Sequence, residues 1–205
     1  KTHIKLRVQV MFKLKNLLEQ NIDSLSNLVS LENGKTLVEA KAGILKAIEV
    51  IEFGCSIPNK ISGDFQEVSD GIECCFSREP LGVVASITPF NFPAMVPFWT
   101  IPIALTVGNT MILKPSEQVP LTAVRLAHLL KEAGLPDGVF NVVHGKAEVV
   151  EALCDHTNIA AISFVGSTKI AKTIYARGTA NGKRVLALGG AKNHLYLLPD
   201  ADMDY

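Results

Sequence analysis

From Val83 to Glu117 the chain reads VVASITPFNFPAMVPFWTIPIALTVGNTMILKPSE. Val83 to Ile87 is an apolar run of strand length, the prolines after it bound a turn and a helix near Met95 to Leu105, and Thr110 to Leu113 is a second apolar run. Between Glu79 and Lys114 no side chain is charged. The segment therefore belongs to a buried frame, and the polar groups at its edges, Asn91 and then Lys114 with Glu117, need a partner or a ligand. An uncharged run of this length would also suit a membrane span, but Pro80, Pro89, Pro93, Pro97 and Pro102 break it. It reads as strand, turn, short helix and strand.

Downstream the same alternation continues. Helical pattern from Leu121 to Ala133 leads to a strand at Phe140–Val143, a helix at Ala147–Cys154, a strand at Ala160–Val165, a helix at Lys169–Tyr175 and a strand at Val185–Leu188. Such alternation predicts an α/β fold, a parallel sheet with helices on both faces. Ligands of these sheets bind beyond the carboxyl ends of the strands. Asn91, Lys114, Glu117, Gly145 and Ser167 each follow a predicted strand and should gather at one edge. A further strand is expected at Leu195–Leu198, and an ending at Asp200-Ala201-Asp202 so soon after it suggests truncation.

Upstream, Ile4, Val8, Met11, Leu14 and Leu18, then Leu25 and Leu28, recur at helical spacing, with Asn21 as N-cap between two helices and Gly34 as the stop. Thr36 and Glu39 form a capping box for a third helix whose apolar stripe runs on to Gly54. From Ile61 to Ser77 short strand-like pieces flank Ser69-Asp70-Gly71, which predicts a β-hairpin. An isolated hairpin is only marginally stable, so pairing with another chain and a plain surface hairpin are both open.

A chain of 205 residues is long enough for one main domain with a sizeable core. Lys plus Arg and Asp plus Glu balance at 20 each, so no net field favours nucleic acid or an anionic membrane. Cys55, Cys74, Cys75 and Cys154 show neither Cys-x-x-Cys spacing nor paired histidines, which argues against zinc and against a disulfide framework. Each reads as a small buried hydrophobe in a reducing compartment, none as a nucleophile. His144, His156 and His194 show no ligand spacing, and no metal site is expected. No signal peptide, repeat or low-complexity tract is visible, and helical pattern starting at Lys1 suggests a beginning inside a larger protein.

Four constellations carry chemistry. Lys114 and Glu117 frame a Pro-Ser step after a strand, so that ammonium and carboxylate can both reach a ribose diol; the alternative is a solvent ion pair of little worth. Phe164-Val165-Gly166-Ser167-Thr168 joins a strand to a helix, with Ser167 placed to cap it and turn its N–H groups toward a phosphate, or simply to cap it. Gly-x-Gly-x-x-Gly does not occur, so a nucleotide would sit differently from the usual dinucleotide site. Asn91, between two aromatic rings and two prolines, has the rigidity an oxyanion donor needs, although a turn Asn bonding its own backbone is the ordinary reading. Leu188-Gly189-Gly190 ends a strand with room for a ligand or for another backbone.

Together these motifs resemble the NAD(P)-dependent aldehyde dehydrogenase superfamily over nearly the whole chain and in the same order. Phe92-Pro93-Ala94-Met95, Gly108-Asn109-Thr110, Ile162 to Ser167 and Gly190-Ala191-Lys192-Asn193-His194 look most like its CoA-acylating branch, the methylmalonate-semialdehyde dehydrogenases. The resemblance implies a Rossmann-like NAD-binding domain made of residues 1–59 and 80–190, an oligomerisation hairpin at 60–79, and the start of a catalytic domain at 191–205. It implies Asn91 as oxyanion donor, Lys114 and Glu117 on the adenosine ribose, and Ser167 on the pyrophosphate. Thr88, Phe90, Gln118 and Gly189 match positions that line the cofactor cleft, and Gly145 a glycine beside the adenosine.

A homo-oligomer follows from the resemblance, expected as a tetramer in the cytoplasm or, in a eukaryote, the mitochondrial matrix. Four positions stand out. The family's catalytic cysteine is expected beyond Tyr205, so the 205-residue chain alone should not turn over substrate. Ala187 stands where hydrolytic members carry a water-activating Glu, Gln118 replaces an Arg common in this branch, and Ala171 replaces a Gly. Without that Glu, a thioacyl-enzyme is better released by CoA, which brings its own thiol, than by water. The implied activity is NAD-dependent oxidation of methylmalonate or malonate semialdehyde to an acyl-CoA, with Glu117 favouring NAD over NADP. A hydrolytic aldehyde dehydrogenase of other specificity and a non-catalytic nucleotide-binding module are the alternatives.

Overall fold

In the computed structural model, which describes residues 2–203, three helices come first. These are α1 (Ile4–Gln20), α2 (Ile22–Asn33) and α3 (Leu37–Ser56). Val8, Met11, Leu14 and Leu18 form the buried stripe of α1, and Ala40, Ile44, Ala47, Ile48 and Ile51 that of α3. The capping box forms as the sequence predicts, with Glu39 N–H donating to Thr36 Oγ1 at 3.3 Å and Thr36 N–H to the Glu39 carboxylate at 3.2 Å. Asn21 does not cap α2. Its Nδ2 donates back to the Leu17 carbonyl, and its Oδ1 accepts from Arg125, so the side chain is already engaged. Gly54 sits inside α3 rather than ending it, and a Cβ there would lie 2.8 Å from Pro102 Cβ, so the glycine lets Pro102 approach closely.

Strands β1 (Asp64–Ser69) and β2 (Ile72–Phe76) pair antiparallel across Asp70-Gly71 as a separate two-stranded hairpin. Every residue of both strands is exposed. Cys74 and Cys75 lie on this arm and are exposed, contrary to the buried reading, because the hairpin has no core behind it; Cys55 is half-buried and Cys154 buried.

The remaining strands, β3 (Val83–Ile87), β4 (Thr110–Lys114), β5 (Phe140–Val142), β6 (Ile159–Val165) and β7 (Arg184–Leu188), form one sheet in the order β5-β4-β3-β6-β7. All four neighbouring pairs are parallel. The chain moves outward from β3 to β5, then returns across the sheet to β6 on the other side of β3. This creates a topological switch point between β3 and β6.

The expected helix from Met95 to Leu105 is two, α4 (Met95–Phe98) and α5 (Ile101–Val107), because Pro102 cannot continue a hydrogen-bonded ladder and starts a new helix instead. With α6 (Pro120–Glu132) these pack against α1–α3 on one face of the sheet, over Met111 and Leu113. Helices α7 (Ala147–Asp155) and α8 (Thr168–Ala180) cover the other face, over Ala85, Ile87, Ile162 and Phe164. Alternate residues of β3 serve the two cores, Val84 one and Ala85 the other, as the pleat requires.

Two apolar surfaces stay open. On the α5 side of β6 and β7, Leu186 is 57% exposed and Trp99 38%, beside a cavity of about 420 Å³. The expected strand at Leu195–Leu198 does not form: these residues are exposed, with no neighbouring strand among the described residues to complete their backbone bonds. Among the described residues no helix is long and apolar enough to cross a membrane.

Candidate functional site

Because the five strands are parallel, every loop that leaves a carboxyl end lies on one edge, which spans about 19 Å from β5 to β7 at the usual strand spacing. Thr88, Phe90 and Asn91 follow β3, Lys114 ends β4 with Glu117 and Gln118 after it, Gly145 follows β5, Ser167 follows β6 and Gly189 follows β7. The nine residues singled out in the sequence therefore share this edge, although Lys114 and Glu117 are the two in direct side-chain contact.

Lys114 is 5% exposed, and its ammonium meets Glu117 Oε2 at 3.1 Å. The Glu117 side chain is 44% exposed, so the pair is buried at its cation and open at its anion. An ammonium has three donors and this one uses one on Glu117, which leaves capacity for a second acceptor. The carboxyl of Glu117 is held below its ordinary range, first by its own backbone N–H and then by Lys114. Thr88 N–H donates to the Lys114 carbonyl at 3.1 Å and joins the β3 and β4 loops.

The β5 loop comes close to the same group. Lys146 attracts Glu117, and Lys114 attracts Glu148, whose carboxyl is lowered mainly by the Lys146 N–H at 3.0 Å. Gly145 has φ of 151°, and a Cβ on it would lie 2.2 Å from Val149 Cγ2, so only glycine fits where the chain turns into α7. Gln118 is exposed; its N–H donates to Ser116 Oγ.

Ser167 stands at the N-cap of α8 in extended conformation, but its hydroxyl accepts no N–H from the first turn. The side-chain cap expected from the sequence is absent, and the first-turn N–H groups are left without that partner. Gly166 N–H donates to the Leu188 carbonyl and Gly190 N–H to Thr168 Oγ1, which stitch the ends of β6 and β7 together. Gly189 packs against Thr168, so of the two openings allowed by the sequence the glycines serve the approach of another element's backbone.

Asn91 is exposed, and its amide has no hydrogen-bond partner among the described residues, which disposes of the turn-internal bond. Its neighbours are held. The Phe90 carbonyl accepts from Asn33 Nδ2 at 2.9 Å, and the Lys35 ammonium lies 3.5 Å above the Phe92 ring. Glu32, next in the same turn, accepts from the N–H groups of Leu121 and Thr122 and from Thr122 Oγ1. The sequence offered only a helix stop here, since these contacts reach 57 and 89 residues along the chain.

The larger cavities lie elsewhere, under β6 and β7 and at the amino edge beside Arg7 and Arg78, and none of the nine residues lines them. Among the described residues no cluster of His, Cys, Asp and Glu could hold a metal ion.

A doubly wound parallel sheet with a switch point, and with an ion pair and a helix start on its carboxyl edge, defines an α/β domain of Rossmann-like architecture. The aldehyde dehydrogenase family profile matches residues 1–205. The chain belongs to the aldehyde dehydrogenase family. It is 53% identical over 199 residues to a malonate-semialdehyde dehydrogenase of Pseudomonas aeruginosa, covering 97% of this chain and 40% of that protein. The crystal structure of methylmalonate-semialdehyde dehydrogenase from Oceanimonas doudoroffii superimposes with a TM-score of 0.93 at 49% identity, covering 100% of this chain and 42% of that one. An NAD complex of a Sinorhizobium meliloti protein assigned as a methylmalonate-semialdehyde dehydrogenase gives 0.92 at 46%, covering 99% and 42%. The chain thus spans about two fifths of the length of these relatives.

Proposed function

We propose that the full-length protein oxidises malonate or methylmalonate semialdehyde to an acyl-CoA with NAD as oxidant, and that residues 1–59 and 80–190 form its NAD-binding domain. Residues 60–79 then form an oligomerisation arm and residues 191–205 begin the catalytic domain. The observation that carries the reading is the Lys114–Glu117 pair at 3.1 Å on the switch-point edge, on the same edge as the free amide of Asn91. The names of the relatives support the substrate.

The residues fit NAD. Lys114 has donors to spare and Glu117 an exposed acceptor, a complement to the two hydroxyls of the adenosine ribose. The uncapped start of the 13-residue α8 suits the pyrophosphate. NAD, when bound, supplies the hydride acceptor. Asn91 donates to the oxygen that becomes anionic when a thiolate adds to the aldehyde carbon. That thiolate is not one of the cysteines present: burial raises Cys55 and Cys154, and Cys74 and Cys75 lie on the hairpin.

Release by CoA is favoured by the residue at position 187. Ala187 has no acid group to deprotonate a water, whereas CoA brings its own nucleophilic thiol. The CoA thiol displaces the enzyme thiolate and takes the acyl group, while the hydride has already left for the oxidant. The test is steady-state turnover of the full-length protein with malonate semialdehyde. NADH formation should depend on CoA and yield the thioester; free acid formed at full rate without CoA would rule out thiolysis.

A further inference from the structure

The turn between α2 and α3 holds both neighbours of Asn91 and leaves Asn91 itself untouched. Asn33 fixes the Phe90 carbonyl through one hydrogen bond, and Lys35 covers the face of Phe92. Terminating α2 requires neither contact, since Gly34 already closes the helix with its N–H on the Ser30 carbonyl. The turn is rigid in its own right. Ser30 Oγ donates to the Lys35 carbonyl, the Thr36–Glu39 box starts the next helix, and Glu32 anchors the other end to the start of α6. Lys35 is half-buried against the ring, and that burial holds its ammonium below the usual lysine range.

An oxyanion donor acts by standing in place before charge develops, and a displacement of about 1 Å costs roughly 100-fold in rate. Among the described residues Asn91 has no bond of its own to hold it, so its position depends on the residues either side. We infer that Asn33 and Lys35 are positioning residues that clamp the Phe90–Phe92 loop so that the Asn91 amide faces the reacting carbonyl. This rests on the oxyanion role proposed above for Asn91. Lys35 acts through its charge over the aromatic face, which an arginine can replace and a methionine of similar length cannot.

The test is kcat and the NAD Kd of the full-length holoenzyme, with each substitution made alone and in an Asn91→Ala background. Asn33→Ala and Lys35→Met should each lower kcat about tenfold, and leave the NAD Kd within about twofold, because the donor is misplaced while the cofactor contacts are not. Asn33→Asp, which keeps the shape and loses the donor, should match Asn33→Ala. Lys35→Arg should keep kcat within about twofold of the unmodified enzyme. In the Asn91→Ala background the same substitutions should have no further effect on kcat.

Unchanged kcat in Asn33→Ala and Lys35→Met, or losses that persist in full beside Asn91→Ala, would overturn the clamp while Asn91 keeps its role. Unchanged kcat in Asn91→Ala alone would remove the oxyanion reading and the clamp with it.

Discussion

In the proposed NAD site, Glu117 is the side chain on which cofactor choice turns. An exposed carboxylate beside a buried ammonium accepts from ribose hydroxyls and repels a 2′-phosphate, so Glu117→Gln should shift the preference roughly tenfold toward NADP, read from the two dissociation constants. Its depressed pKa sets the sign of the pH dependence. A carboxyl lowered in the folded state contributes its charge fully above the ordinary glutamate value of about 4.3 and loses it as pH falls through the lower folded value. NAD affinity should thus show no titration of Glu117 across the neutral range, and Glu117→Gln should abolish the part of any acid-side loss that this carboxylate causes. For Asn91→Ala the expected outcome is a loss in kcat of about 10²–10³ with little change in NAD Kd.

The Lys114–Glu117 pair was legible in the sequence because it is local, two charges three residues apart after a strand. The grip of Asn33 on Phe90 was not, since no local pattern links residues 57 apart. Ser167 shows a different limit: residue type and position both predicted a side-chain cap, yet its hydroxyl makes no such bond.

Among the elements, α1 and α3 do more than decorate the sheet. They share one core with α5, α6 and β4, in which Leu14, Ile51 and Leu126 are wholly buried. Leu14→Ala should therefore cost about 2–5 kcal/mol, measured by urea unfolding, although α1 lies outside the βαβ succession. The strands were readable because each central run is apolar and bounded by turn residues, and their parallel pairing follows from the helices between them. Leu195–Leu198 has the same apolar character, but a strand exists only with a partner edge, and sequence pattern does not reveal whether one is present. The break between α4 and α5 follows from Pro102, which stands in the first turn of α5.

At the scale of the whole molecule, the open face under β6 and β7 is the main departure from a closed α/β domain. Trp99 stands on that face and is the single tryptophan of the sequence. In the 205-residue chain its emission should be red-shifted and open to acrylamide, and the chain should bind an apolar dye. A blue-shifted, protected Trp99 would mean that this face is covered. The hairpin presents Phe65, Val68, Ile72 and Phe76 to solvent, an arrangement that suits pairing with another copy. Ile72→Asp in the full-length protein should lower the mass found by light scattering without lowering the affinity for NAD.

The proposed function requires the carboxyl edge of the sheet to be one NAD-binding cleft built around Lys114 and Glu117. Calorimetric titration of the full-length protein with NAD tests it most directly. One site per chain is expected, weakened at least about tenfold by Lys114→Met, which leaves the sheet intact but removes the buried cation. Equal affinity in the unmodified protein and in Lys114→Met, or no saturable uptake at all, would contradict it.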